Sequence, residues 1–469
     1  MIYKRFGKSQ KESVLPREKP QDVAILASLD AKIWAIAWPA IIANISIPLL
    51  GLVDAALLGH LDSSKHLAAV AVGGAVLSFL YWGFSFLRMG TTGEVARANG
   101  AKDEPRALLA LARSAVIALG IAGLLLIFQQ PLLFLGFEIM GTGPEIRATA
   151  DNYASLRMLS APAVLLTYTA FGWFIGHQDT QWPMRILIIT NVSNIALDAL
   201  FIMGLGLASS GAAVATVIAE YLGLIMVLVA LRKQLAGFLS TELWTKLRAP
   251  GPYLGLLRSN LNLFFRTLSL LFAFAFFTAA GEKLGPEVVA ANAVMMQFLL
   301  FAAFAMDGFA YAAEGMAGEA LGGGDLERFF LVSRRCALWT AASALIISAL
   351  ILLGKPWLFP MLTSLPEILA IMRAHGLWLV ALPLIAAPSY LLDGLFIGAG
   401  ATRAMMVTML FSAFVVYLPC WYLTTGLGNQ GLWFSFAVFN ASRGITLALY
   451  FGYFTRRHHW LESHSDPIA

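Results

Sequence analysis

The chain has 469 residues, 59% of them hydrophobic and only 13% charged, with a formal net charge of +5. Soluble domains carry roughly 25% charged residues, so this composition excludes an ordinary soluble enzyme or binding module and points to a chain immersed in lipid. The positive surplus is no sign of nucleic-acid binding, because the basic residues sit where membrane orientation and anionic headgroups require them.

The first 32 residues are polar and basic, and the apolar run after them is too long for the core of a signal peptide, so no cleaved leader is expected. Twelve apolar runs follow, at about 33–58, 67–92, 108–135, 153–176, 184–205, 211–231, 257–281, 288–313, 331–353, 370–398, 405–426 and 430–454. Each can cross a bilayer, which takes about 20 residues of helix. The expected fold is all-α: a polytopic membrane protein with twelve transmembrane helices in two six-helix lobes. The expected layout is a cytoplasmic tail 1–32, an N-lobe 33–232, a cytoplasmic linker 233–256, a C-lobe 257–455 and a cytoplasmic tail 456–469.

Lysines and arginines fix the orientation. Lys4, Arg5, Lys8, Lys11, Arg17, Lys19 and Lys32 precede the first run, Arg97, Lys102, Arg106 and Arg113 lie around the second loop, and Arg232, Lys233, Lys246, Arg248 and Arg258 lie around the linker. The opposite loops hold little more than Lys65, Arg147, Lys283 and Lys355. The positive-inside rule therefore places both termini in the cytoplasm. Cys336 and Cys420 fall inside apolar runs without partner spacing, so they read as packing residues.

The sequence repeats itself at an offset of 222 residues: Arg113 meets Arg335, "PEI" at 144–146 meets "PEI" at 366–368, "FIG" at 174–176 meets "FIG" at 396–398, and "GLG" at 204–206 meets "GLG" at 426–428. Six helices per unit is an even number, so the lobes are expected to be related by an axis along the membrane normal, a layout common among transporters.

Charges inside the runs are the functional candidates, because each must pair, snorkel or face water. At 1.5 Å of rise per residue, Asp54, Asp198 and Thr216 all lie about 8–9 Å below the outer ends of the first, fifth and sixth runs. Asn194 precedes Asp198 by one turn on the same face, and Glu220 follows Thr216 by one turn. Carboxylate, amide and hydroxyl oxygens suit a small hard cation, and two carboxylates in one place can hold a proton between them. The second lobe lacks this set: Asp54 is replaced by Phe276, Asn194 by Val416 and Asp198 by Cys420. Asp54, Asn194, Asp198 and Thr216 are therefore the expected coupling site, with Glu220 secondary.

In the second lobe Arg266, Asp307 and Arg443 lie at a shared depth of about 15–18 Å and are expected to form one cluster, an ion-paired staple or a substrate contact. Asp393 is expected nearer the cytoplasmic face, open to an inward cavity. Arg88 and Glu314 are close enough to the inner interface to snorkel. Pro39 and Pro48 interrupt the first run on the way to Asp54, which suggests a helix that bends there. "GEALGGGD" at 318–325 ends a membrane helix rather than following a strand, so it is no nucleotide loop. With no Walker motif and no nucleophile beside a base, transport driven by an ion gradient is expected rather than catalysis.

"WPAIIANISIPLLGLVDAALLGHL" in the first run and "NIALDALFIMGLGLASSGAAVAT" across the fifth and sixth resemble the multidrug and toxic compound extrusion (MATE) family over essentially the whole chain. "SNLNLFFRTLSLL" in the seventh run lacks a glutamate and resembles the DinF branch more than the NorM branch. The resemblance implies a V-shaped pair of lobes in the inner membrane. It also implies a monomer that expels lipophilic, often cationic, organic compounds in exchange for protons, with sodium as the alternative ion. It maps the N-lobe cation site onto Asp54, Asn194, Asp198 and Thr216, and Asp393 onto a C-lobe sodium site whose glutamate partner is absent here. The expected partners are small organic substrates and the bilayer, without a cofactor. The rival readings are a flippase for lipid-linked substrates, disfavoured by a helix count below about fourteen, and an uncoupled facilitator.

Overall fold

The fold was analysed in a computed structural model that describes residues 20–59, 64–235, 237, 241–249 and 251–462, without the side chains of 20–23, 49, 50, 52, 54, 55, 252 and 462. The described residues are almost entirely helical and contain no strand. Among the described residues eleven helices are long and apolar enough to cross a membrane, or twelve when one bent pair counts as a single span.

In the N-terminal half these are α1 (Pro20–Gly59), α2 (Ser64–Gly100), α3 (Glu104–Ile127), α4 (Pro144–Met158 with Ala161–Gly176), α5 (Gln181–Gly204) and α6 (Ala208–Ala230). A short amphipathic helix, Thr241–Arg248, buries Leu243 and Leu247 in the connection. The C-terminal half holds α7 (Gly251–Glu282), α8 (Pro286–Gly322), α9 (Leu326–Leu362), α10 (Pro366–Ala399), α11 (Thr402–Leu427) and α12 (Asn429–Arg457). The starts of α8, α9 and α10 fall 222 residues after those of α2, α3 and α4. Local chemistry repeats with them. Asp103 caps α3 by accepting from the Arg106 backbone N–H at 3.0 Å, and Asp325 caps α9 by accepting from that of Arg328 at 2.8 Å. Such caps satisfy amide groups that a helix start leaves without partners.

The halves meet along a seam at the ends of α2, α4, α8 and α10. A Cβ at Gly100 would collide with the Glu319 carbonyl, and one at Gly322 with the Arg97 carbonyl; Gly93 meets Ile397 and Gly315 meets Ile175 in the same way. Each pair is the other displaced by 222 residues, the reciprocal contact that a two-fold axis generates. The glycines of "GEALGGGD" thus serve close backbone approach: Gly318 faces Ala96 and Gly398 across the seam. Large apolar side chains left exposed, such as Ile127, Leu353 and Leu423, form the outer surface that lipid requires.

The termini carry more helix than the apolar runs alone give. The helix begins at Pro20, not after residue 32, because nothing between Pro20 and Ile33 breaks it; Asp30 accepts from Arg335 and, at 2.9 Å, from the Trp339 indole, stapling α1 to α9. Pro39 and Pro48 lie inside α1 without ending it. At the other terminus His459–Glu462 is helical and Trp460 is buried against Phe329 and Phe396.

Candidate functional site

The N-terminal site forms where α5 changes its winding. Gln181–Asp198 is α-helical and Ala199–Gly204 continues as a π-helix, a local widening that often marks functional positions. Asp198 is the last residue before that change. It and Asn194, one turn earlier on the same face, are both fully buried.

The Asn194 side-chain amide donates to the Thr216 hydroxyl at 3.2 Å, and that hydroxyl donates to the Ala212 carbonyl one turn back on α6 at 2.9 Å. Thr216 therefore spends its proton on its own helix and serves Asn194 as an acceptor. The remaining oxygen of Asn194, Oδ1, is buried and has no donor among the described residues. A buried acceptor without a donor is costly. A proton on a neighbouring carboxyl, or a cation, would satisfy it. One turn from Asn194, Asn191 donates to the Ser46 hydroxyl at 2.9 Å and ties α5 to α1. The backbone of Asp54 lies on α1, and its side chain is outside the described residues.

Glu220 does not join this group. Its carboxylate pairs with Arg157 of α4 at 3.1 Å, both side chains largely buried. Arg157 sits at the 50° break of α4, where Ser160 donates to the Arg157 carbonyl at 2.8 Å and the Tyr221 hydroxyl to the Leu159 carbonyl at 3.1 Å. The apolar run hid Arg157: reading a span from residue 153 places it at a helix end, whereas the helix starts at Pro144 and puts it deep.

The C-terminal charges assemble differently from expectation. Asp393 of α10 does not open into a cavity. Its Oδ2 accepts from Arg266 of α7 and, at 2.9 Å, from Arg443 of α12. All three residues are buried. Arg443 also donates to Asn440 at 3.2 Å and lies over the rings of Phe439 and Tyr390. Asp307, expected among them, makes no hydrogen bond or ion pair with any described residue. Beside this cluster lies an apolar cavity of about 200 Å³ lined by residues of α7, α8, α10 and α12, with Trp82 reaching in from α2.

Arg88 and Glu314 do not snorkel. They pair across the halves at 2.8 Å, with Glu314 only 2% exposed, and the Arg88 guanidinium stacks over Tyr311 at 4.6 Å. A single basic and a single acidic residue 226 positions apart gave no pairing signal in the sequence. Cys336 and Cys420 are free thiols.

The model of the MatE family matches residues 39–200 and 263–423, once in each half. DNA damage-inducible protein F of Escherichia coli (strain K12) is 39% identical over 440 residues, covering 93% of this chain and 94% of its own. Protein DETOXIFICATION 44, chloroplastic, of Arabidopsis thaliana is 27% identical over 458 residues, covering 94% and 85%. A crystal structure of a mutant of the Vibrio cholerae MATE transporter VcmN superposes with a TM-score of 0.83 at 23% identity, over 93% of this chain and 99% of that one.

Proposed function

This chain belongs to the MatE family, a family of membrane transporters rather than enzymes, and from that premise we propose that it exports lipophilic organic cations in exchange for protons. The observation that carries the reading is the N-terminal site, a fully buried carboxylate at Asp198 one turn from an Asn194 oxygen that lacks a donor among the described residues. A proton arriving on Asp198 would give that oxygen its donor, and losing the proton would remove it.

Exchange follows if proton and cargo favour opposite states of the halves, since a ligand shifts only equilibria in which its affinities differ. Residues 33–232 and 257–455 are the bodies that rock, with 233–256 as tether and Asp54 as the second carboxylate of the N-terminal site. The glycine seam closes the face that bears the termini, which leaves the opposite face for release. Lysines and arginines put the terminal face in the cytoplasm of a bacterial inner membrane. The names of the relatives, with their mention of detoxification, fit small organic cargo. Protons rather than sodium are the coupling ion, because the C-terminal carboxylate at Asp393 is already held by two guanidiniums.

The test is uptake of a fluorescent organic cation into inside-out vesicles, driven by a pH gradient or by a sodium gradient. Uptake that needs the pH gradient, ignores sodium and disappears with Asp198→Asn is the expected result. Equal uptake with no gradient would establish a facilitator instead.

A further inference from the structure

Among the described residues of the C-terminal half, Asp307 is the carboxylate near the apolar cavity that no arginine clamps. Asp393 is buried under Arg266 and Arg443 and carries more positive charge than it can neutralise. Asp307 follows Met306, which lines the α7/α8/α10/α12 cavity, and is partly exposed, with no hydrogen bond or ion pair to any described residue. The charged and titratable groups that act on it come from several helices: Arg88 on α2, Glu314 and Tyr311 on α8, Arg266 on α7, and Asp393 and Tyr390 on α10.

Arg88, Arg266 and Arg443 balance Glu314, Asp393 and Asp307 one for one. This belt is therefore neutral with Asp307 ionised, and every other member has a partner of opposite sign. The cavity wall beside it includes Trp82, Phe274, Met296, Tyr390 and Phe436. Aromatic faces attract cations, and methionine adapts to varied shapes. The two arginines behind the wall are buried and do not present their charge to the cavity.

We propose that Asp307, not Asp393, is the anion that a lipophilic cation meets in the C-terminal cavity, so that Asp307 sets the preference of this cavity for cationic over anionic cargo. The assignment rests on the reading of this chain as an exporter of organic cations. It makes Asp307 a specificity residue distinct from the N-terminal coupling site.

The test is calorimetric titration of the purified full-length protein with phenyltrimethylammonium and with benzenesulfonate, a cation and an anion of similar size. The wild type is expected to prefer the cation. Asp307→Asn is expected to weaken cation binding about tenfold, the loss of one charge contact, and to leave benzenesulfonate unchanged or tighter. Asp307→Glu keeps the cation preference and shows that the fold tolerates the position. A general loss of packing would weaken both probes alike in Asp307→Asn, and that result overturns the assignment, as does cation binding unchanged by the substitution. A wild type that binds neither probe overturns the export reading along with it.

Discussion

The N-terminal and C-terminal halves share the starts of three successive helices at the 222-residue offset and differ in where those helices break and in what their carboxylates touch. α8, α9 and α10 run unbroken through 37, 37 and 34 residues, even across the prolines of α9 and α10. Their counterparts are interrupted: α2 turns at Phe84–Ser85, α3 gives way to a separate helix at Gln129, and α4 bends by 50°. Asp393 on the continuous α10 is clamped by two arginines, whereas Asp198 on α5 follows by one turn an asparagine that is bonded to the Thr216 hydroxyl. The difference teaches that duplication preserved the frame while the charges diverged. One half holds its carboxylate in an ion-paired staple, and in the other the buried carboxylate is the one proposed to exchange a proton.

The sharpest way to break this comparison is to remove each carboxylate in turn. Asp393→Ala strands two buried guanidiniums and is expected to cost about 3–5 kcal/mol, seen as a large fall in the thermal midpoint of the purified protein. Asp198→Asn replaces a carboxylate by an amide of the same shape and is expected to change stability by less than about 1 kcal/mol. It is expected to reduce coupled transport on the order of 100-fold. If both substitutions unfolded the protein alike, the distinction between staple and exchanger would fail.

The seam offers a smaller and symmetric effect. Gly100→Ala and Gly322→Ala each drive a methyl into a carbonyl of the other half, and each is expected to cost about 1–3 kcal/mol. Because the contacts are reciprocal, their costs should match in thermal denaturation; a one-sided effect would show that the two-fold relation is only approximate. Smallest are the repeated caps, where Asp103→Ala and Asp325→Ala each remove one side-chain acceptor from a helix start, for about 1 kcal/mol apiece.

Much of this was legible in the sequence, and the reasons divide along physical lines. Hydropathy gives the spans, since a bilayer demands long apolar helices, and the 222-residue offset appears directly in paired motifs such as "PEI" and "FIG". The meeting of Asn194 and Thr216 follows from helical rise, because both lie near shared helix ends. Depth failed for Asp393 and Asp307. It places residues along the normal but does not say which way a side chain turns, and Asp393 turned toward the arginines while Asp307 did not. Glu220 illustrates the same limit: one turn from Thr216 on the same helix, its carboxylate pairs with Arg157 across to α4. The glycine seam was invisible because a glycine in a membrane helix signals close approach without naming its partner.

The central claim is that the buried N-terminal carboxylate exchanges a proton for cargo. It is tested most directly by the protons released when an organic cation is added to purified protein in weakly buffered solution, compared between wild type and Asp198→Asn. The account predicts release in the wild type, growing with cation concentration to saturation, and none in Asp198→Asn, with sodium making no difference to either. Equal release from both proteins would place the exchanging proton elsewhere and leave Asp198 a structural residue.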